Sequence, residues 1–305
     1  MMNSPFPSVA IAAPLPSRIG LPLVSPCAEP PSGDGWLHEI KHDGHRLVAV
    51  FDGRGGLRLI SRNGFDRTAT FRAPFGAVLA RVRREMVVDG EIAAPDDRGV
   101  THISELQDAL PRRQSEHLAF FAFDLVHFDG RDLRRSAIED RKALLKDVLG
   151  DAGDARIVYL DHLVGRGAEL FDQVRTIGAE GIVSKRLGSQ YRAGRSSDWL
   201  KTKCSEIGEF IITGFVEVAG ERVEALAVAE VTAAGNFAVG LVKFGFAGKG
   251  LWPVLDSIRA GPATRGGLVP VEPLLIADAK FFGRYKASQA IRDGVLIGMP
   301  RLRQE

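Results

Sequence analysis

The sequence is poor in cysteine and contains no long apolar run. Among its 305 residues only Cys27 and Cys204 carry thiols, which are too few for a disulfide framework or a cysteine-rich zinc site. No apolar stretch approaches the roughly 20 residues that are needed to span a bilayer. The first charged residue is Arg18, so the N-terminus lacks the basic start of a secretory signal peptide. These absences exclude small disulfide-rich and helical membrane proteins and favour a reducing, cytoplasmic setting.

The net charge is only +2, but the basic residues are unevenly distributed. The segment 181–203 contains six basic residues and one acid, and the segment 280–305 contains six basic residues and two acids. Local basic blocks on a nearly neutral chain indicate an anionic partner, unless acids elsewhere in the fold balance them. The basic residues are Lys185, Arg186, Arg192, Arg195, Lys201 and Lys203 in the first block, and Lys280, Arg284, Lys286, Arg292, Arg301 and Arg303 in the second.

The order of apolar runs and turns predicts three segments. Residues 1–26 are rich in Pro, Ser and Ala and predict a flexible lead-in. Residues 27–205 alternate short apolar strands with helical stretches, which predicts an α+β domain of antiparallel sheets with flanking helices. Residues 206–305 contain β-type runs, Gly-rich turns and one helix at 249–259. That pattern suits a small β-barrel such as an OB-fold.

The octapeptide 39–46 places Lys41 between two carboxylates, Glu39 and Asp43, with Gly44 and Arg46 nearby. Apolar residues on both sides predict two strands joined as a hairpin at Asp43-Gly44. Lysine becomes a nucleophile when a pocket desolvates it or when nearby positive charge favours its neutral form. A lysine beside a turn is more often a solvated surface residue, so its interpretation depends on the other motifs.

Polar and aromatic residues at the ends of other predicted strands suit an attack on a nucleoside triphosphate. Two carboxylates, Glu91 and Glu180, can contact ribose or hold Mg²⁺. Three lysines can neutralise the charge that develops on the phosphates, while an aromatic and an aliphatic side chain can sandwich a purine. Each residue alone has a structural alternative, such as a core phenylalanine or a solvated lysine, and their joint occurrence favours function. These residues are Lys185, Lys201, Lys203, Phe123 and Val183.

In this order the motifs resemble those of the ATP-dependent DNA ligases, which belong to the covalent nucleotidyltransferases together with RNA ligases and mRNA capping enzymes. The resemblance implies a nucleotidyltransferase (adenylation) domain at 27–205 and an OB-fold domain at 206–305. The residues within these motifs are similar to those of bacterial ligases of non-homologous end joining. The chain length leads us to expect a stand-alone ligase. The matching segments are Lys41–Arg46, Ser61–Gly64, Asp89–Glu91, Phe120–Asp124, Glu180–Lys185 and Asp198–Lys203.

The resemblance also implies a role for each matching residue. Lys41 would form the lysyl-AMP intermediate, and Glu39 would read the adenine amino group. Phe123 would stack on adenine, with Val183 on its other face. The other expected nucleotide contacts are Arg46, Arg62, Glu91, Lys185, Lys201 and Lys203, and the expected metal ligands are Glu91 and Glu180. The expected DNA contacts are Arg62, Arg186, Arg192, Arg195, Arg301 and Arg303.

The implied co-substrate is ATP, with Mg²⁺ or Mn²⁺ as cofactor. The implied partners are nicked duplex DNA and a Ku-type end-binding protein, for a monomeric enzyme associated with the bacterial nucleoid. Two alternatives remain open: an RNA ligase or guanylyltransferase of the same superfamily, and a non-catalytic nucleic-acid-binding relative. No lysine follows Arg301 and Arg303, which would stand in for the last arginine of the family. We therefore expect reaction with ATP to be slow compared with sealing of pre-adenylylated nicks.

Overall fold

Strands dominate the chain, which divides between Lys203 and Cys204 into two units in the computed structural model. The sequence had suggested a boundary two residues later, between 205 and 206. The structure describes residues 6–7, 9–79, 82–110, 117–150, 156–218, 221–233, 235–246, 248–284 and 288–303. Lys286 of the second basic block lies outside the described residues.

The first unit combines two sheets with short helices. Its described strands are β1 (Ile11–Ala12), β2 (Pro22–Pro26), β3 (Trp36–Ile40), β4 (His45–Asp52), β5 (Leu57–Ser61), β6 (Glu85–Ala93), β7 (Ala119–Phe128), β8 (Arg131–Asp132), β9 (Ile157–Tyr159), β10 (Leu163–Val164), β11 (Gly181–Arg186) and β12 (Gly194–Lys203). Its described helices are α1 (Thr68–Phe71), α2 (Gly76–Leu79), α3 (Ile103–Ala109), α4 (Ile138–Gly150), α5 (Gly167–Thr176) and the 3₁₀-helix η1 (Ala73–Phe75).

The larger sheet has seven strands in the order β1-β8-β7-β6-β4-β5, and β9 also pairs with β7. Strand β4 is buried on both faces, because its neighbouring apolar side chains point alternately into two different cores. Leu47, Ala49 and Phe51 pack into one core, whereas Val48 and Val50 pack into another. This double burial explains why β4 is a continuous apolar run rather than an alternating one.

The smaller sheet has five strands in the order β10-β3-β11-β12-β2. Leu37 of β3 and Trp199 of β12 share a core with Val48, Val50 and Val126 of the larger sheet. The two sheets therefore pack face to face over a common apolar layer. Strand β11 lies between β3 and β12 and pairs antiparallel with both.

The predicted hairpin at Asp43-Gly44 is wrong, because β3 and β4 belong to different sheets. The link passes from one sheet to the other, and Gly44 lies so close to β6 that a Cβ atom there would be 2.1 Å from the carbonyl oxygen of Ile92. Asp43 fixes this link: its carboxylate accepts a hydrogen bond from the Ile103 N–H at 2.9 Å, and its own N–H donates to Thr101 Oγ1 at 2.9 Å. Apolar patterning predicted both strands but not their partners, which are distant in sequence.

The prediction of a flexible lead-in is wrong for its described part. Strand β2 pairs parallel with β12 through Pro22–Gly194, Leu23–Arg195, Ser25–Leu200 and Pro26–Lys201. Strand β1 pairs with β8. The Pro- and Ala-rich composition hid scattered apolar residues that pack on the core between the sheets, namely Leu15, Ile19, Leu21 and Val24.

Helix α4 carries two cations on its buried face. Ile138, Arg141, Lys142, Leu145 and Leu149 are all buried, at the spacing of one helical face. The Arg141 guanidinium donates to both carboxylate oxygens of Asp124, at 2.7 and 2.9 Å, and both side chains are fully buried. Asp124 is thus a structural acid of the core.

The described part of the second unit contains one mixed sheet and one helix. Its described elements are β13 (Glu206–Val218), β14 (Arg222–Thr232), β15 (Gly235–Phe244), α6 (Leu251–Ser257), β16 (Leu268–Pro270), β17 (Leu275–Phe281) and β18 (Gly294–Leu302). Strand β13 pairs with β14, β16 and β17, while β15 pairs with β14 and, in parallel, with β18. Strand β18 also pairs with β17. Helix α6 lies within the range predicted for it, 249–259.

No helix in the described part of either unit is both long enough and apolar enough to cross a membrane.

The buried Asp124–Arg141 pair generates a stability prediction. We expect Arg141→Met to lower the free energy of unfolding by about 3–5 kcal/mol, because it leaves the Asp124 charge buried without its partner. Arg84→Met is the matched control, since Arg84 pairs with Asp129 where both side chains are exposed, and its loss should be much smaller. Urea unfolding of both variants measures the difference. Equal losses would contradict this account of the pair.

Candidate active site

An open cavity of about 780 Å³ lies in the first unit, where β3, β4, β6, β7, β11 and β12 contribute to its walls. A cavity of this size accommodates a nucleotide-sized ligand. Most of the predicted site residues of this unit line it: Glu39, Lys41, Arg46, Arg62, Glu91, Phe123, Val183, Lys185, Arg195 and Lys201.

Lys41 lies at the end of β3 and is fixed by β11 on both its main chain and its side chain. Its backbone N–H donates to the carbonyl of Gly181 at 2.8 Å, and its Nζ donates to Glu180 Oε2. The other oxygen of Glu180 pairs with Lys203 Nζ at 3.0 Å. The Glu180 side chain is 4% exposed and that of Lys41 is 21% exposed. The lysine is therefore held by a buried carboxylate but remains accessible from the cavity.

Gly181 allows this arrangement because β12 passes directly against it. Its φ is +149°, and a Cβ atom at this position would lie 2.2 Å from the carbonyl oxygen of Thr202. A larger residue would push β11 away from β12 and displace Glu180 from Lys203. The close approach of β12 thus explains why a glycine follows Glu180 in the sequence motif.

Charge around Lys41 shifts the pKa values of two carboxyl groups in opposite directions. Burial raises the pKa of Glu180, but the adjacent Lys41 and Lys203 outweigh burial and lower it overall. Burial raises the pKa of Glu91 to about 8; Glu180 and Asp89 add to this rise, while Lys41 and Arg46 oppose it. Glu180 is therefore ionised at neutral pH, whereas Glu91 is largely protonated.

Burial also lowers the pKa of Lys201, and the neighbouring cations Lys203 and Lys41 lower it further. Three lysines thus surround the Glu180 carboxylate, and Lys201 projects its charge into the cavity without an opposing acid of its own in direct contact among the described residues. A polyphosphate entering the cavity would meet this excess of positive charge.

Arg46 is tied to the protein rather than left free in the cavity. Its guanidinium donates to both oxygens of Asp89, at 3.0 and 2.6 Å, and to the Pro22 carbonyl at 2.7 Å. The hydroxyl of Tyr191 donates to the same Asp89 carboxylate at 2.6 Å. The guanidinium carbon lies 5.4 Å from the centre of the Phe123 ring. Arg46 therefore supports the aromatic wall of the cavity.

The other end of the cavity combines Phe123 and Val183 with a buried carboxylate. Glu39 is 2% exposed and lies between two lysines, with Lys142 Nζ 2.5 Å from Oε1 and Lys185 Nζ 2.8 Å from Oε2. Burial lowers the pKa of Lys185, and Glu39 opposes this shift. Lys185 also lies 4.5 Å from the centre of the Phe123 ring. Sequence reasoning had expected Lys185 at a phosphate, whereas the structure places it beside Glu39.

Sequence reasoning missed several residues that shape the site. They are Asp89, which holds Arg46; Tyr191, which donates to Asp89; Trp199, which packs on Phe123 and Lys185; Lys142, which holds Glu39; and His42. The helical spacing of α4 did contain a signal for Lys142, because a cation within an apolar stripe indicates a buried partner.

His42, next to Lys41, stacks on Phe121 with ring centroids 3.7 Å apart. Burial lowers its pKa to about 4; Glu39 opposes this shift and Lys41 adds to it. The imidazole is therefore neutral at physiological pH and adds no charge beside Lys41.

The arginines predicted to bind DNA occupy different places. Arg62 lies exposed on the 61–64 turn at the cavity, and Arg195 lines the cavity while donating to the Val24 carbonyl at 3.1 Å. Arg186 and Arg192 are exposed on the first unit, where Arg186 pairs with Asp198 at 3.2 Å. In the second unit, Arg301 contacts Asp278 and Glu209, and Arg303 is exposed.

Comparisons with known proteins agree with this geometry. A family model described as the ATP dependent DNA ligase domain matches residues 26–203. The multifunctional non-homologous end joining protein LigD of Pseudomonas aeruginosa is 34% identical over 209 residues, which cover 68% of this chain and 25% of that protein. LigD of Mycolicibacterium smegmatis is 34% identical over 229 residues, covering 73% and 29%. The chain thus spans between a quarter and a third of the length of these relatives.

A solved structure of mycobacterial DNA ligase D with ATP and MES has a TM-score of 0.58 and 28% identity, and the match covers 93% of this chain and 94% of that one. The ligase domain of LigD from Mycobacterium tuberculosis has a TM-score of 0.57 and 27% identity over the same shares. The fold is accordingly the mixed α+β ligase fold with antiparallel sheets. Since the family model covers more than half of its length, the chain belongs to the ATP-dependent DNA ligase domain family.

Proposed function

We propose that this chain seals nicks between a 5′-phosphate and a 3′-hydroxyl in duplex DNA, with ATP as co-substrate and a lysyl-AMP intermediate. The observation that carries the proposal is the position of Lys41, which is accessible from the cavity and is held by Glu180 among further lysines. The family assignment and the motif order support the same chemistry.

In the first step, Lys41 Nζ gives a proton to solvent, leaves Glu180 and attacks the α-phosphorus of ATP. The N–P bond forms as the bond to pyrophosphate breaks. Lys201 and Lys203 stabilise the charge on the phosphate oxygens. The AMP then passes to the 5′-phosphate of the nick, and attack by the 3′-hydroxyl joins the strands and releases AMP.

The purine would bind between Phe123 and Val183, which line the same cavity. Arg46 and Lys185 lie 5.4 and 4.5 Å from the centre of the Phe123 ring and hold it in place. Glu39 also lines the cavity and can accept a hydrogen bond from the exocyclic amino group of adenine.

Mg²⁺ fits the carboxylates that are present. In the described residues no group of three or more His, Cys, Asp or Glu side chains is arranged to hold a metal by itself. Mg²⁺ commonly takes one or two carboxylates and completes its shell with phosphate oxygens and water. Burial is the main cause of the raised pKa of Glu91, and the nearby carboxylates Glu180 and Asp89 add to it, so a bound cation would favour the ionised form that coordinates it. Glu91 and Glu180 would hold the ion, which neutralises phosphate charge.

Arginines around the first unit would bind the DNA backbone. Arg62 at the cavity would contact the 5′-phosphate of the nick, while Arg186, Arg192 and Arg195 would contact neighbouring phosphates. We extend this role to Arg301 and Arg303 of the second unit.

We propose that the second unit is an OB-fold barrel. The circuit of pairings from β13 through β14, β15, β18 and β17 back to β13 supports this proposal. The parallel contact of β15 with β18, and the helix α6 between β15 and β17 in the chain, are also features of that fold.

The relatives named for non-homologous end joining suggest the same repair process for this chain. We propose that it works as a monomer in the bacterial cytoplasm at the nucleoid, with a Ku-type protein as its partner at DNA ends.

The covalent step is tested by intact mass after incubation with ATP and Mg²⁺. We expect wild-type protein to gain one AMP and Lys41→Ala to gain none, because the substitution removes the nucleophile. Lys146→Ala, on the exposed face of α4, is the control and should react normally. A Lys41→Ala variant that still forms the adduct and seals nicks would refute the mechanism. An adduct formed from GTP alone would favour a guanylyltransferase. Sealing of RNA ends alone would favour an RNA ligase, and the absence of any adduct would favour a non-catalytic relative.

The pKa of Glu91 predicts a dependence of stability on pH. Because the folded state raises this pKa from 4.5 to about 8, the protonated carboxyl contributes stability that is fully present below pH 4.5 and is lost progressively as the pH rises to about 8. We expect the Tm of wild-type protein to fall relative to that of Glu91→Gln between pH 5 and pH 9, because the amide carries no charge. Glu169→Gln, at an exposed pair with Arg166, should follow wild type. Parallel profiles of wild type and Glu91→Gln would contradict the assigned pKa.

The DNA-binding proposal predicts a change in salt dependence. Arg192→Gln should weaken binding to nicked duplex of any sequence and reduce the slope of log K against log salt by about 1, because one phosphate contact is lost. Arg175→Gln, which breaks an exposed pair with Asp172 on α5, should leave the slope unchanged. Fluorescence anisotropy over a salt series measures both. Identical slopes in the two variants would show that Arg192 does not contact a DNA phosphate.

A further inference from the structure

Helix α4 places Lys142 behind the wall of the cavity, at the end where the base is proposed to bind. Its side chain is fully buried, and Lys142 is not among the described residues that line the cavity. Its Nζ donates to Glu39 Oε1 at 2.5 Å and to the carbonyl oxygen of Leu160 at 2.8 Å. It also lies 4.7 Å from the centre of the Tyr159 ring.

The two acceptors bound by Lys142 both belong to residues of the cavity wall. Glu39 and Leu160 each line the cavity, and one ammonium group holds an oxygen of each. Carboxylate and carbonyl oxygens have more than one lone pair, so each can accept a further hydrogen bond. The fixed oxygens form a pair of acceptors that suits a group with two N–H donors, such as the exocyclic amino group of adenine.

Burying a second cation beside Glu39 is costly, and Lys185 already neutralises that carboxylate from its other oxygen. A structural role alone would be met by an apolar residue at this position of α4, as at Leu145 and Leu149 on the same face. The contact to the Leu160 carbonyl gives Lys142 a second function, because it fixes Leu160 relative to Glu39.

We infer that Lys142 is a positioning residue for base selection, which holds Glu39 and the Leu160 carbonyl so that the site prefers a 6-amino purine over a 6-oxo purine. This inference rests on the proposed reaction with ATP. A base with a 6-oxo group would place its oxygen, an acceptor, against the Glu39 carboxylate and the Leu160 carbonyl, which are also acceptors. The three oxygens could then form no hydrogen bond with one another, which weakens binding.

The test compares ATP with inosine triphosphate, whose base carries a 6-oxo group and differs from adenine only there and at N1. The rate of adduct formation by the full chain is measured over a range of each nucleotide. For Lys142→Met we expect the ATP preference in kcat/KM to fall about tenfold or more, with KM for ATP raised and kcat nearly unchanged. Lys146→Met is the matched control, because Lys146 lies on the same helix near the same Tyr159 ring but is exposed. It should keep the full preference.

A merely structural Lys142 would lower activity with both nucleotides equally, and an unchanged preference in Lys142→Met would overturn the inference. If Lys142→Met does not fold, Lys142→Gln replaces it, because glutamine keeps N–H donors without the charge. Its preference for ATP over inosine triphosphate should be weaker than that of wild-type protein but not lost. Shifts in Tm on nucleotide binding then report the same preference from folded molecules only. Failure of wild-type protein to form any adduct would instead refute the proposed function.

Discussion

The contact between Lys41 and Glu180 is the interaction on which the site depends. It joins the end of β3 to the start of β11 and brings Lys41, the proposed nucleophile, against a carboxylate that is held ionised. Gly181 lets β12 approach closely, and β12 places Lys203 on the other oxygen of Glu180. The backbone of neighbouring strands thus determines the electrostatics of the reactive lysine.

The cavity uses buried charge in two different ways. At the Lys41 end, cations outnumber acids in contact with the cavity, which suits a phosphate chain. At the other end, Glu39 is enclosed by two lysines and an aromatic wall, which suits a flat polar base. Removing charges from water at both ends costs stability, and the proposed function accounts for that cost.

Most residues that line the cavity could be located from the sequence, because each motif stands at the end of a strand that apolar patterning reveals. The partners of those strands could not be predicted. Leu47–Phe51 was correctly expected as a strand, but its pairing with β5 and β6 rather than β3 depends on contacts across the whole unit. Composition concealed β2 in a Pro-rich segment, and Lys142 was overlooked although its place on the apolar face of α4 pointed to a buried partner.

Strand β2 also limits how far the first unit can be truncated at its N-terminus. The family match begins at residue 26, yet β2 covers β12, and the Pro22 carbonyl accepts a hydrogen bond from Arg46. A protein that began at residue 27 would expose the backbone of β12, a sheet edge able to pair with another chain. The proline at each end of β2 limits such pairing at the natural edge. The segment before the family match therefore protects the site-bearing sheet against self-association.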